Sequence, residues 1–270
     1  MPTSLSSALN LRRRIAVLLW ARRGVWLLPL ALWLGMRGPG LHIPSLVAAV
    51  LVCGLASVAL RAWEHSQRRQ FVREARLPTF LADKLMARYP QLTRREAELV
   101  LHGLRQFFLS HLRSGFKFVA MPSRVVDEAW HEFILHTRGY QAWCDSAFGK
   151  LMHHTPAEVL GRNPKRNDGL RRTWYWACKE ESIDPRQPSR LPLLFALDKK
   201  LGIAGGFSYL PDCRDIDRQS GSDVYCGTSF GDGGSGGAEG DSAGFGGSET
   251  AGSGDASADG GDGGGGCGGD

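Results

Sequence analysis

The chain lacks any closely spaced pair of cysteines. Its six, Cys53, Cys144, Cys178, Cys213, Cys226 and Cys267, are scattered over 270 residues, and no CxxC occurs. This spacing argues against a disulfide-stapled secreted fold and fits a reducing compartment. Acidic residues are missing from positions 1–61, which carry seven arginines, and basic residues are missing from 219–270, which carry nine acids. Between them, residues 62–218 hold 26 Lys or Arg against 18 Asp or Glu, so the net charge of +6 conceals a basic body and an acidic tail. That tail has few large apolar residues: from Gly227 onward its aromatics are Phe230 and Phe245. Such a composition buries too little apolar surface to offset the entropy of ordering, so a disordered, acidic, Gly-rich tail is expected over 219–270. No strict Gly-X-Y period holds in it, which excludes collagen.

Two long apolar runs are present near the N-terminus, "GVWLLPLALWLGM" (24–36) and "LHIPSLVAAVLVCGLASVAL" (41–60), separated by "RGPG". The second has twenty residues without a charge, enough to cross roughly 30 Å of hydrocarbon at about 1.5 Å per residue. The first spans only if it continues to residue 40 or the bilayer thins locally. No small-residue cleavage site follows Met36, which disfavours a signal peptide. Arg12, Arg13, Arg14, Arg22 and Arg23 precede the pair and Arg61, Arg68 and Arg69 follow it. A helical hairpin with both ends in the cytoplasm places every one of these arginines on the favoured side. The expected organisation is a membrane anchor over 1–69 with spans 24–40 and 41–60, a mostly helical cytoplasmic domain over 70–218, and the tail.

Helix signals dominate the central part. Thr93 with Glu96 forms a capping box, and Val100, Leu104, Phe107, Phe108 and Leu112 then mark one buried face as far as the stop at Gly115. Ser123 reads as the N-cap of the next helix, and Thr155, Pro156 and Glu158 repeat the capping signature. "NPKRNDGLRRTWYWACKEES" and "LPLLFALDKKLGI" supply further helices, while "FKFVAM" (116–121) and "GGFSYL" read as short extended pieces. The Trp174–Tyr175–Trp176 run reads as packing, and His42, His65, His102 and His111 as ordinary interface or helix-face residues.

The richest stretch chemically is "VVDEAWHEFILHTRGYQAWCDSAFGKLMHHTP" (125–156). Asp127 and His131 are four residues apart and share a helix face, whereas His136 falls about 140° away from His131. Tyr140 and Cys144 are again four apart, and His153 and His154 sit just before the Thr155 cap, where a helix N-terminus favours neutral imidazole. Asp127, His131, Cys144, His153 and His154 therefore form a candidate metal set of mixed oxygen, nitrogen and sulfur donors, which zinc accepts. Two other readings stand beside it: a satisfied helical core, and a Cys144–His131 nucleophile and base.

The segments "GLRQFF" (103–108), "MPSRVVDEAWHEFILHTRGY" (121–140), "FGKLMHHTPAE" (148–158) and "GIAGGFSYLPDC" (202–213), with "CGG" at 267–269, resemble the bacterial branch of the glycine-rich domain-containing protein-like family. The resemblance implies a helical domain, often followed by glycine-rich sequence, with no settled catalytic assignment. It carries over Asp127, Trp130 and His131; plant members read W-H-x-H where this chain has Trp130, His131, Glu132 and Phe133. It also implies the bacterial inner membrane as the location. Three functions follow in order: a membrane-anchored interaction or scaffold module with a lipid bilayer and a protein as partners; a zinc-dependent hydrolase-type enzyme using the five-residue set; and, last, nucleic-acid binding. The basic charge is spread over several elements without a recognition motif, which ranks nucleic acid lowest.

Overall fold

The computed structural model describes residues 3–27, 29–31, 43–154, 164–211 and 224–226. Among them eight helices and one short strand pair occur: α1 (Thr3–Val25), α2 (Ile43–Glu74), α3 (Phe80–Arg88), α4 (Arg94–Arg113), α5 (Arg124–Leu135), α6 (Thr137–Ala147), α7 (Pro164–Glu180), α8 (Leu193–Lys200), β1 (Ser208–Leu210) and β2 (Val224–Cys226). The molecule is mostly helical, in line with the periodicity of its sequence.

The centre is α4. Its Thr93 hydroxyl accepts from the Glu96 amide while the Glu96 carboxylate accepts from the Thr93 amide, the reciprocal cap the sequence predicts. Beyond the cap, Val100, Leu104, Phe107 and Phe108 are buried, and so are Gly103 and Gln106, so α4 is covered on most sides. It packs against α2, α3, α5, α7 and α8. At Gly103 a Cβ would lie 2.5 Å from Leu197 Cδ1, so the missing side chain sets how closely α8 approaches. Phe107, Phe108, Trp130, Phe133, Trp143 and Phe148 form a continuous aromatic cluster with centroids 4.7–6.2 Å apart. Trp174 and Tyr175 belong to the same buried core, which agrees with reading their run as packing.

α1 lies antiparallel along α2. Arg22 pairs with Glu64 at 3.0 Å, Arg12 stacks over the Phe71 ring, and the Cys53 thiol donates to the Val25 carbonyl. Among the described residues one helix segment, Leu46–Glu74, is long and apolar enough to cross a membrane. Val47, Leu51, Val52, Leu55 and Val58 on it are exposed, as are Trp20, Trp26, Leu27 and Trp63. Most of the expected first span, the Thr155–Glu158 capping signature and nearly all of the Gly-rich tail lie outside the described residues.

Residues 117–123 belong to no helix or strand: Arg172 donates to the Phe118 carbonyl at 2.6 Å, and the Thr173 hydroxyl to the Ala120 carbonyl at 2.8 Å. Side chains of α7 thus satisfy the carbonyls that a neighbouring strand would otherwise take. Within the region expected to be disordered throughout, Val224–Cys226 instead pairs in parallel with Ser208–Leu210, Tyr209 lying opposite Tyr225. A β-branched and an aromatic residue in "VYC" favour that strand locally.

Candidate metal centre

The helix that carries the candidate residues, α5, is positioned by an acid on another helix. Asp198 on α8 is 2 % exposed. Its Oδ1 accepts from the Ser123 hydroxyl (2.7 Å) and the Val125 amide (3.1 Å), and its Oδ2 from the Arg124 amide (2.7 Å) and the Phe207 amide (2.9 Å). The expected Ser123 cap is present, its hydroxyl accepting from the Val126 amide. The carboxylate adds what one hydroxyl cannot supply, acceptors for the remaining free amides of the first turn. Gly206 permits the approach, since a Cβ there would sit 2.7 Å from Asp198 Cβ. Gly205, at φ +66°, turns its carbonyl to the Arg124 guanidinium (3.2 Å). Sequence reading passed over Asp198; the available signal was an acid one turn after Leu194, on the buried face of an amphipathic helix.

On α5 so placed, Asp127 and His131 project from one face, with His131 Nδ1 3.7 Å from Asp127 Oδ2. The third group comes from the segment after α6: His154 Nε2 lies 2.9 Å from Asp127 Oδ1. One ligand atom from each of these three residues falls within 4.8 Å of the other two. The His131 and His154 rings are 4.4 Å apart, and Trp130 meets His154 edge-on at 4.5 Å. The His154 segment is tied down through the core. Trp130 Nε1 donates to the Tyr140 hydroxyl (3.1 Å), which donates to the Met152 carbonyl (2.5 Å). Burial pushes the Tyr140 phenol well above its usual range, so it acts as a neutral relay of hydrogen bonds.

The other two members of the candidate set lie elsewhere. Cys144 is fully buried beside Tyr140 and Met152, its thiol raised above the ordinary range by burial, and it adds no atom to the group. That protonated, enclosed sulfur is also a poor nucleophile. His153 is exposed and lines the cleft next to the group without joining it.

This cleft has a volume of about 820 Å³ and is open to solvent. Asp127, His131 and His154 line one part of it, and Arg124, Lys150 and His111 others. Burial holds the His111 imidazole down at about 4, opposed by its bond to the Lys117 carbonyl (3.2 Å), so the ring is neutral. The sequence pattern marks His111 as an ordinary interface or helix-face residue and gives Arg124 and Lys150 no distinguishing context. No local motif marks them, because separate elements, α4, the start of α5 and the segment after α6, bring them to one cleft.

Fold and site together define a helical protein with an Asp–His–His cluster at the edge of an open cleft. The chain belongs to the UCP032817-like family, whose model matches residues 67–230. This overturns the resemblance to the glycine-rich domain-containing family. The segments that suggested it are mostly core helix and glycine turns, which record packing demands common to unrelated helical domains, and the "CGG" end falls beyond the matched residues. Nothing matches the chain among curated proteins or among solved structures.

Proposed function

We propose that this chain is a membrane-anchored metal-binding protein in which Asp127, His131 and His154 hold one divalent ion, zinc by their chemistry. The supporting observation is the convergence of two imidazoles from separate elements on one carboxylate. An ion pair needs one imidazole; a second placed 4.4 Å from it adds repulsion whenever both are protonated. A metal ion turns the same three groups, whose donor atoms already lie within 4.8 Å of one another, into mutually compatible ligands. Two imidazoles and one carboxylate are a donor set of catalytic zinc sites, which keep a further position for water and lower its pKa toward neutrality. The cleft provides room beside that position, so metal-assisted hydrolysis is the reaction class the site favours. The anchor is a two-helix hairpin, with the domain and both termini in the cytoplasm. The exposed apolar face of α2 and the exposed Trp20, Trp26 and Trp63 near the arginine clusters support it.

The test is metal content by mass spectrometry on the full chain purified in detergent, with His131→Ala, His154→Ala and Cys144→Ser beside wild type. About one zinc per chain is expected in wild type and Cys144→Ser, and far less in the two histidine variants at unchanged helicity. His131 is 46 % exposed, so its removal leaves the core intact. A folded wild-type chain that takes up no zinc, cobalt or manganese sinks the metal reading and leaves the interaction module in its place.

A further inference from the structure

Arg124, Asp127 and His131 stand at i, i+3 and i+7 on α5 and therefore share one face, with Arg124 about 4.5 Å along the helix axis from Asp127 at roughly 1.5 Å per residue. Among the described residues, the acceptor of the Arg124 guanidinium is neutral, the Gly205 carbonyl. Lys150, on the segment that ends at His154, lines the same cleft with its ammonium 5.3 Å above the Phe116 ring. Among the described residues, no carboxylate pairs with either cation. Of the acids lining the cleft, Glu128 lies 3.6 Å from Arg88 and Asp127 belongs to the metal set. With a divalent ion in place the cleft is then net positive, with two point charges unneutralised next to an open coordination position.

We propose that this cleft binds the anionic end of its substrate, a phosphate-type oxyanion set between the metal position and the cations Arg124 and Lys150; the inference rests on the metal reading above. The spacing suits such a group. A metal–oxygen distance near 2 Å, an oxygen–oxygen edge of about 2.5 Å and a charge-assisted hydrogen bond of about 2.8 Å together span roughly the reach of an arginine three residues before Asp127. Phosphate is recognised by a fork of N–H donors and by point cations, and this cleft holds one of each. The source of the oxyanion can be a lipid headgroup or a free phosphate compound. Phe116, beneath Lys150, lies 6.1 Å from His65, five residues beyond the last apolar residue of the membrane run, so this rim of the cleft borders the anchor.

The experiment uses the full chain in detergent, loaded with Mn²⁺ and titrated with inorganic phosphate, with ³¹P relaxation as readout and manganese content measured on the same samples. Wild type should show saturable relaxation enhancement. Arg124→Gln and Lys150→Gln should each weaken phosphate binding about 10-fold or more while still holding one manganese per chain. Among the described residues Lys150 makes no hydrogen bond, so its variant decides the matter if Arg124→Gln proves unstable. Enhancement unchanged in Lys150→Gln and in a folded Arg124→Gln, or none in manganese-loaded wild type, overturns the anion site while leaving the metal site standing. Wild type without manganese defeats the metal reading and this inference together, and the metal assay tells that outcome apart. Repeating the titration in phosphatidylglycerol nanodiscs identifies the source. A large rise in the phosphate concentration needed there points to the headgroup, and an unchanged titration to a soluble phosphate compound.

Discussion

His111 is held neutral by its surroundings, and that has a thermodynamic consequence. Its folded value of about 4 lies below the ordinary 6.5, so as pH falls the unfolded chain takes up a proton that the folded chain refuses. The stability contributed by the neutral ring is complete above pH 6.5, is lost progressively on acidification, and levels off near pH 4. The ring is partly exposed, which discounts the effect to about 2 kcal/mol. Thermal melts of the full chain between pH 7.5 and 4 should show this loss, and His111→Gln should flatten the profile. A variant as acid-sensitive as wild type would assign the loss to other groups. Cys144 contrasts with it. Its burial and raised thiol predict slow alkylation in the folded chain, with labelling accelerating only in denaturant.

At the scale of elements, the cap of α5 is the piece on which the Asp127–His131–His154 cluster depends. Asp198→Ala removes the two oxygens that accept four hydrogen bonds at one buried spot and should destabilise the chain by roughly 3–5 kcal/mol in denaturant unfolding. It should also weaken metal binding, because Asp127 sits in the first turn that the carboxylate organises. Gly206→Ala should reproduce part of both effects by pushing Asp198 away, a readout that loss of a surface glycine would not give. Much at this scale was legible beforehand. The Thr93–Glu96 box, the Ser123 cap and the apolar spacing of α4 are local signals, and each appears where the sequence puts it. The Asp127–His131 pair was legible too, since four residues on a helix bring two side chains together whatever surrounds them. His154 was readable as a donor but not as the partner of Asp127, because the Trp130–Tyr140–Met152 chain that sets its segment arises only in the packed core.

Across the whole molecule, α2 has two unlike halves. Its 32 residues run about 48 Å, longer than the roughly 30 Å of a hydrocarbon core; the N-terminal half exposes Val47, Leu51, Leu55 and Val58, while the C-terminal end packs into the domain with Phe71 and Val72 fully buried. There Arg68, 4 % exposed, pairs with Glu64 at 2.9 Å and donates to the Asp145 and Ser146 carbonyls at the end of α6. A buried cation on those free carbonyls ties the anchor helix to the loop that leads to His154. For the proposed hairpin, a green fluorescent protein fused to either terminus should fluoresce, and an alkaline phosphatase inserted after residue 40 should be active. A non-fluorescent N-terminal fusion beside a fluorescent C-terminal one would mean a single span. The sequence by itself determined the helical class, the positions of the main caps and the apolar run of α2, because propensity, capping and hydrophobic period act over a few residues. Only the tertiary structure decided that Asp198 caps α5, that His154 rather than Cys144 meets Asp127, and that Arg124 and Lys150 share one cleft. Those pairings join residues 26 to 75 positions apart and depend on burial and close packing, which no local pattern encodes.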